Sequence, residues 1–100
     1  MNYFYIIYQI DCAVCGEDYV GETVRELEDR VREHLATARQ LQVNEPWGKH
    51  WRRHRDQEVA FKNVQVLAGA KDIVDRKIRE SVEIRHRKPK VNISRGWKLT

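Results

Sequence analysis

Tyr3, Tyr5, Ile6, Ile7, Tyr8 and Ile10 make the first stretch of the chain aromatic and β-branched, a composition that suits a pleated, half-buried surface and predicts a strand over residues 3–10. Cys12-Ala13-Val14-Cys15-Gly16 interrupts it as a tight turn, Asp18-Tyr19-Val20 returns as a second strand, and Gly21 ends the hairpin. The period then changes. Thr23-Val24-Arg25-Glu26 has the form of a capping box, in which hydroxyl and carboxylate satisfy free backbone donors at a helix start. Leu27, Val31, Leu35, Ala38 and Leu41 follow at intervals of three or four, predicting an amphipathic helix to about Gln42. Asn44-Glu45-Pro46 breaks it. Trp47 to Arg55 reads as a short basic helix. Ala60 to Leu67, with Phe61, Val64, Val66 and Leu67, reads as a third strand, and Gly69 punctuates.

Asp72 caps a last long helix running to about Arg87, which carries two apolar rows. Val74, Ile78 and Val82 form one; Ile73 and Ile84 lie on roughly the opposite side. At about 100° per residue, Glu80 falls within about 20° of the line through Ile73 and close to that of Ile84. The pattern predicts a helix buried on two faces and central to its domain. Pro89 ends it, and residues 90–100 are expected to form a loop or short strand. The order β-β-α-(α)-β-α, without repeats or linker, predicts one α+β domain over residues 1–100, a small antiparallel three-stranded sheet flanked by helices.

Composition narrows the function classes. The chain has a net charge of +4, with 34% charged and 41% hydrophobic residues, and a pI near 9.3. It is a foldable basic chain suited to polyanions. No apolar run approaches the roughly 20 residues of a spanning helix, so no membrane partner is expected. The opening apolar run is too short and lacks the leading charge of a secretory signal. The expectation is an intracellular protein, nuclear if eukaryotic, and a fragment of a longer chain.

Phosphodiester cleavage needs a proton acceptor, a cation for phosphate charge and a carboxylate for a metal ion. Tyr8 and Tyr19 lie on the two strands of the hairpin. Arg30 and His34 lie one turn apart on the first helix, so both can point at one place. A guanidinium forks onto phosphate oxygens better than an ammonium. Glu80 is a hard oxygen donor of the kind Mg²⁺ or Mn²⁺ uses, and an unpaired carboxylate in an apolar row is costly. Taken singly, each has a plainer reading. The tyrosines would be sheet aromatics, Arg30 a helix-surface ion pair with neighbouring glutamates, His34 a packed histidine, Glu80 a partner of Arg76, and Asn92 a turn residue. Their order and spacing taken together favour a site.

Ile6-Ile7-Tyr8, Tyr19-Val20-Gly21, Arg30, His34, Arg79-Glu80 and Asn92 resemble the GIY-YIG nuclease superfamily over nearly the whole chain. Ile6 stands where that motif has its glycine. More narrowly, Cys12-Ala13-Val14-Cys15, Tyr19-Val20-Gly21-Glu22-Thr23 and Arg30-Val31-Arg32-Glu33-His34 resemble the endonuclease domain of Penelope-like retroelements. The resemblance implies an αβ-sandwich that nicks or cuts DNA with one divalent ion. In it, Glu80 would hold the metal, Arg30 would bind the scissile phosphate and Tyr19 would act as base or orient water. Tyr8 and His34 would assist, and Asn92 would support the site.

Cys12-x-x-Cys15-Gly16 is a metal-knuckle pattern, and His50 and His54 are spaced to face one point from a helix. Small domains often need such a staple, and the Penelope-like resemblance also carries a Cys-Cys-His-His site. Structural Zn²⁺ is therefore expected. The alternative is unligated cysteines beside a DNA-facing basic helix.

Lys49, Arg52, Arg53 and Arg55 form one basic cluster and Arg85, Arg87, Lys88, Lys90 and Arg95 another, suited to salt-sensitive phosphate contact. Trp47, Trp51 and Trp97 offer base stacking, with core packing the better use for at least two. The leading expectation is a metal-dependent DNA endonuclease with no small organic cofactor. The rivals are an inactive nucleic-acid-binding module of the same fold and a zinc-stapled protein-interaction domain.

Overall fold

The computed structural model describes residues 5–24 and 26–93. Tyr3 and Phe4 of the first strand lie outside them, as do Arg25, Arg95 and Trp97. The elements are β1 (Tyr5–Cys12), β2 (Asp18–Thr23), α1 (Leu27–Arg39), α2 (Pro46–Trp51) continued by a 3₁₀ turn (Arg52–His54), β3 (Phe61–Ala70), α3 (Ile73–Arg87) and α4 (Lys90–Ile93). The sheet is antiparallel throughout, in the order β2-β1-β3. The α+β class, the three-stranded sheet and the flanking helices are as the sequence predicts.

Pleating divides β1 between two cores. Tyr8, Ile10 and Cys12 pack with Tyr19, Ala38, Trp47, Trp51 and Val91 on the α1–α2 face. Ile7 packs with Val20 and Ile84 on the α3 face. Trp47 and Trp51 are fully buried in the first core, which removes both from base stacking.

Several boundaries move for identifiable reasons. Gly21 does not end β2, because pairing continues through Glu22 opposite Ile7 and Thr23 opposite Ile6. Thr23 therefore belongs to the sheet and not to a capping box. α1 starts at Leu27 with Glu26 at its N-cap and no side-chain cap hydrogen bond. β3 runs through Gly69 to Ala70, with register shifts opposite Ile7–Tyr8 and Gln9–Asp11. The Asp72 cap is as predicted, its side chain accepting from the Asp75 amide at 2.8 Å. Residues 90–93 form a helical turn instead of a loop or strand.

The largest departure is α3. It is not buried on two faces. Ile73, Val74, Ile78 and Val82 are all more than half exposed, and only Ile84 is buried. The polar row faces the sheet instead: Arg76 reaches Glu22 on β2, and Arg87 donates to Gln9 on β1 at 2.9 Å. One helix on a three-stranded sheet has one face to cover, and these charged contacts together with Ile84 take it.

The pairing of Tyr8 with Gly21 has a steric basis. A Cβ at Gly21 would lie 2.7 Å from the Tyr8 hydroxyl, 2.8 Å from its Cζ and 2.7 Å from Cε2 of Tyr19. Both rings are buried, so neither can retreat freely. Gly21→Ala should destabilise the domain by about 1–3 kcal/mol through overpacking, read as a lower urea midpoint. An unchanged midpoint would show that the two phenols have room to move.

Candidate active site and metal centre

Two strands and a helix bring four of the predicted residues into one buried cluster. The Tyr8 hydroxyl lies 2.6 Å from Nε2 of His34. The His34 ring stands edge-on to Tyr19, with centroids 5.0 Å apart. The Tyr8 and Tyr19 ring centroids are 6.3 Å apart. Arg30, one turn before His34, holds Glu33 at 2.9 Å and is about a third exposed. Its guanidinium also reaches the Tyr8 hydroxyl and acts on both phenols.

The electrostatics follow from burial. Burial raises the Tyr8 pKa well above its ordinary value; Tyr19 adds to the rise and Arg30 opposes it. Tyr19 is pushed up to about 12, again chiefly by burial, with Arg30 opposing and Glu80, Glu45 and Glu22 adding. His34 is lowered to about 3 by burial and then by Arg30. Both phenols are therefore protonated and the imidazole neutral at neutral pH. A neutral imidazole accepting at Nε2 makes Tyr8 the donor in their bond.

Glu80 projects from the half-buried side of α3. Burial raises its pKa, the Glu22 carboxylate adds to the rise, and Arg76 opposes it. Its charge acts on Tyr19. Arg76 turns to Glu22 at 3.1 Å. Sequence reasoning includes Glu22 within Tyr19-Val20-Gly21-Glu22-Thr23 but gives it no role.

Asn92 is buried, and its amide pairs with Val20 twice. Oδ1 accepts from the Val20 amide at 2.9 Å, and Nδ2 donates to its carbonyl at 3.0 Å. β2 is an edge strand with unpaired backbone groups. Asn92 stands in for the missing neighbour between Tyr19 and Gly21, which is more than a turn residue does.

The second site joins the hairpin turn to α2 next to Trp47 and Trp51. Cys12, Cys15, His50 and His54 offer ligand atoms all within 4.8 Å of one another, and both cysteines are unbridged. Cys15 Sγ is 3.5 Å from His50 Nε2. With about 2.3 Å to sulfur and about 2.0 Å to nitrogen, two corners of a zinc tetrahedron lie roughly 3.5 Å apart. His54 Nε2 is buried without a hydrogen-bond partner, the state expected of a donor reserved for an ion. Gly16, at φ +78°, closes the knuckle, its amide donating to the Cys12 carbonyl at 2.9 Å. The gap between the pairs is spanned by α1, which leads into α2 over the hairpin.

Of the basic residues, Lys49, Arg52, Arg53 and Arg55 are exposed on and after α2, and Arg85, Arg87, Lys88 and Lys90 on and after α3. Several have structural partners: Arg52 donates to the Leu41 carbonyl, Arg53 to Glu17, and Arg87 to Glu83.

The hairpin thus bears two buried phenols, the next helix a guanidinium and an imidazole, and a later helix a carboxylate. The family model of the GIY-YIG catalytic domain matches residues 1–90, and the chain belongs to that family, whose members act on DNA and are typically dependent on divalent metal. The match stops short of Asn92. No curated protein and no solved structure matches the chain. Among the described residues, no helix is long and apolar enough to cross a membrane.

Burial of neutral His34 couples stability to pH. Below about pH 6.5 the unfolded chain protonates this imidazole while the folded one does not, down to about 3. The unfolded state then binds more protons, so stability falls with falling pH by up to about 1.4 kcal/mol per unit. His50, lowered to about 4, acts the same way in metal-free protein. His34→Gln should flatten the acid side of a stability–pH curve relative to wild type; parallel curves would show that His34 is not buried neutral.

Proposed function

We propose that the chain is a divalent-metal-dependent DNA endonuclease domain that hydrolyses one strand per active site, akin to the endonuclease domains of Penelope-like retroelements. The observation that carries this reading is the Tyr8–His34 hydrogen bond set beside Arg30, with Glu80 felt at Tyr19 from a separate helix. A solely structural core has no need to set a guanidinium beside a buried phenol–imidazole pair. The Penelope-like kinship is supported by the Cys/His cluster.

Each group has a role that follows from its setting. Arg30, pinned by Glu33 yet partly exposed, binds non-bridging oxygens of the scissile phosphate. Tyr19 orients the attacking water. Its pKa near 12 suits a hydrogen-bonding phenol better than a free base. Tyr8 is wholly buried and donates to His34 Nε2, so this pair assists by fixing the imidazole edge against which Tyr19 rests, and the proton of the attacking water passes to solvent. The new bond forms from water oxygen to phosphorus as the bond to the leaving oxygen breaks, and that oxygen takes its proton from solvent water. Asn92 holds the β2 edge and so keeps Tyr19 and Gly21 in place.

Glu80 fits Mg²⁺ or Mn²⁺, since a half-buried carboxylate with a second carboxylate near it sits in a field that favours a cation. When bound, the ion supplies Lewis-acid stabilisation of phosphate charge and a lowered water pKa. Cys12, Cys15, His50 and His54 fit Zn²⁺ in a closed structural site, with four ligands and no open position. Lys49, Arg52, Arg53, Arg55, Arg85, Arg87 and Lys88 supply phosphate contacts along DNA. Residues 1–100 act as one unit, working inside the cell, where unbridged cysteines at metal spacing are at home.

Supercoiled plasmid with Mg²⁺ or Mn²⁺ should be nicked by the chain, and Glu80→Ala or Arg30→Ala should slow nicking by about 10²–10³-fold. Wild type and both variants behaving alike, whether inert or equally active, would end the reading; salt-sensitive binding without cutting would mark an inactive DNA-binding module. Stripping zinc with a strong chelator should lower the melting temperature, and zinc returned in stoichiometric amount should restore it. Unchanged melting would leave the Cys/His cluster without a metal.

A further inference from the structure

Glu17 is carried by the same turn as the two cysteines. Its carbonyl accepts from the Cys12 amide at 2.8 Å, which ties its backbone to the knuckle. Its carboxylate reaches across to α2, where Oε1 lies 3.4 Å from Nδ1 of His50 and also meets Arg53. The His50 side chain is completely buried, so the partner at Nδ1 decides which nitrogen carries the ring proton.

Two groups compete at that atom. Arg53 Nη2 lies 2.8 Å from it, and a guanidinium can only donate. An Nδ1 that accepts from Arg53 would leave the proton on Nε2, the nitrogen facing Cys15, and would disable it as a ligand. A carboxylate at Nδ1 has the opposite effect: it takes the Nδ1–H and leaves the Nε2 lone pair free. Histidine ligands commonly show this arrangement, and it raises their basicity.

We propose that Glu17 is the positioning residue of the Cys/His centre: it accepts the Nδ1–H of His50, selects the tautomer with Nε2 free, and leaves Arg53 as its own ion partner. The inference rests on the reading that these four side chains hold zinc. The hairpin and α2 are then joined twice, once through the shared ion and once through the Glu17–His50 contact. Placing the acceptor two residues after Cys15 means that the turn which brings the thiolates also brings the group that prepares a histidine for them.

The test is zinc competition against a chromophoric chelator on the 100-residue chain, beside the visible spectrum of the cobalt(II) form. Glu17→Ala should weaken zinc by about 10–100-fold and shift the cobalt ligand-field bands. Glu17→Gln, which keeps an acceptor oxygen, should recover part of the affinity. Arg53→Met should cost less than Glu17→Ala. Unchanged affinity and spectrum in Glu17→Ala, or a larger loss in Arg53→Met, would overturn the proposal while leaving the zinc reading intact. Wild type binding neither zinc nor cobalt would overturn both. Should the alanine variant fail to fold, Glu17→Gln matching wild type in affinity and bands would still refute the contribution of the carboxylate charge.

Discussion

The register of β1 against β2 is the constraint on which the rest depends. It sets Tyr8 opposite Gly21, where only a residue without a Cβ lets a buried phenol lie across the neighbouring strand. A slip of one residue would send Tyr8 to the α3 face and put a side chain where its ring now rests. From this placement Tyr8 meets His34 of α1, and Tyr19, two residues before Gly21, lies edge-on to the same imidazole. The outer edge of β2 would otherwise be open to water. Asn92 closes it at Val20 with both halves of its amide, so the strand bearing Tyr19 is held on both sides.

Burial sets the chemistry of this corner. It keeps both phenols protonated and His34 neutral, leaving Arg30 as the positive group between them. Glu80 and Glu22 form an acidic border, and Arg76, bound to Glu22 and lying over the Tyr5 ring at 5.0 Å, keeps that border from being wholly repulsive. A cationic edge suits phosphate and an acidic one a metal ion, so the division of charge matches a reaction that needs both.

The Cys/His centre meets a different need. A chain of 100 residues buries a limited core, and this one divides its core between two faces of a narrow sheet. The hairpin turn and the six-residue α2 are both short elements. Ligands from both, with Trp47 and Trp51 packed beneath, tie α2 to the hairpin that carries Tyr8 and Tyr19.

Features governed by near neighbours were legible from the sequence. Asp72 caps α3 because a side chain three residues from an amide decides it, and Gly16 takes its left-handed turn because no other residue adopts φ +78° so readily. The spacing of Cys12 with Cys15, and of His50 with His54, is likewise local. What required tertiary structure were choices between partners distant in sequence. Thr23 had equal local claims to a cap and a strand until Ile6 paired with it. The apolar row of α3 announced its period but not which side would meet the sheet, and contacts from Arg76 and Arg87 turned that row to solvent. Glu17 and Glu22 look like ordinary surface acids in the sequence; only folding brings them to His50 and Arg76. Local sequence determines what each segment can become, whereas the burial and pairing of polar groups across the fold decide which of those options is least costly.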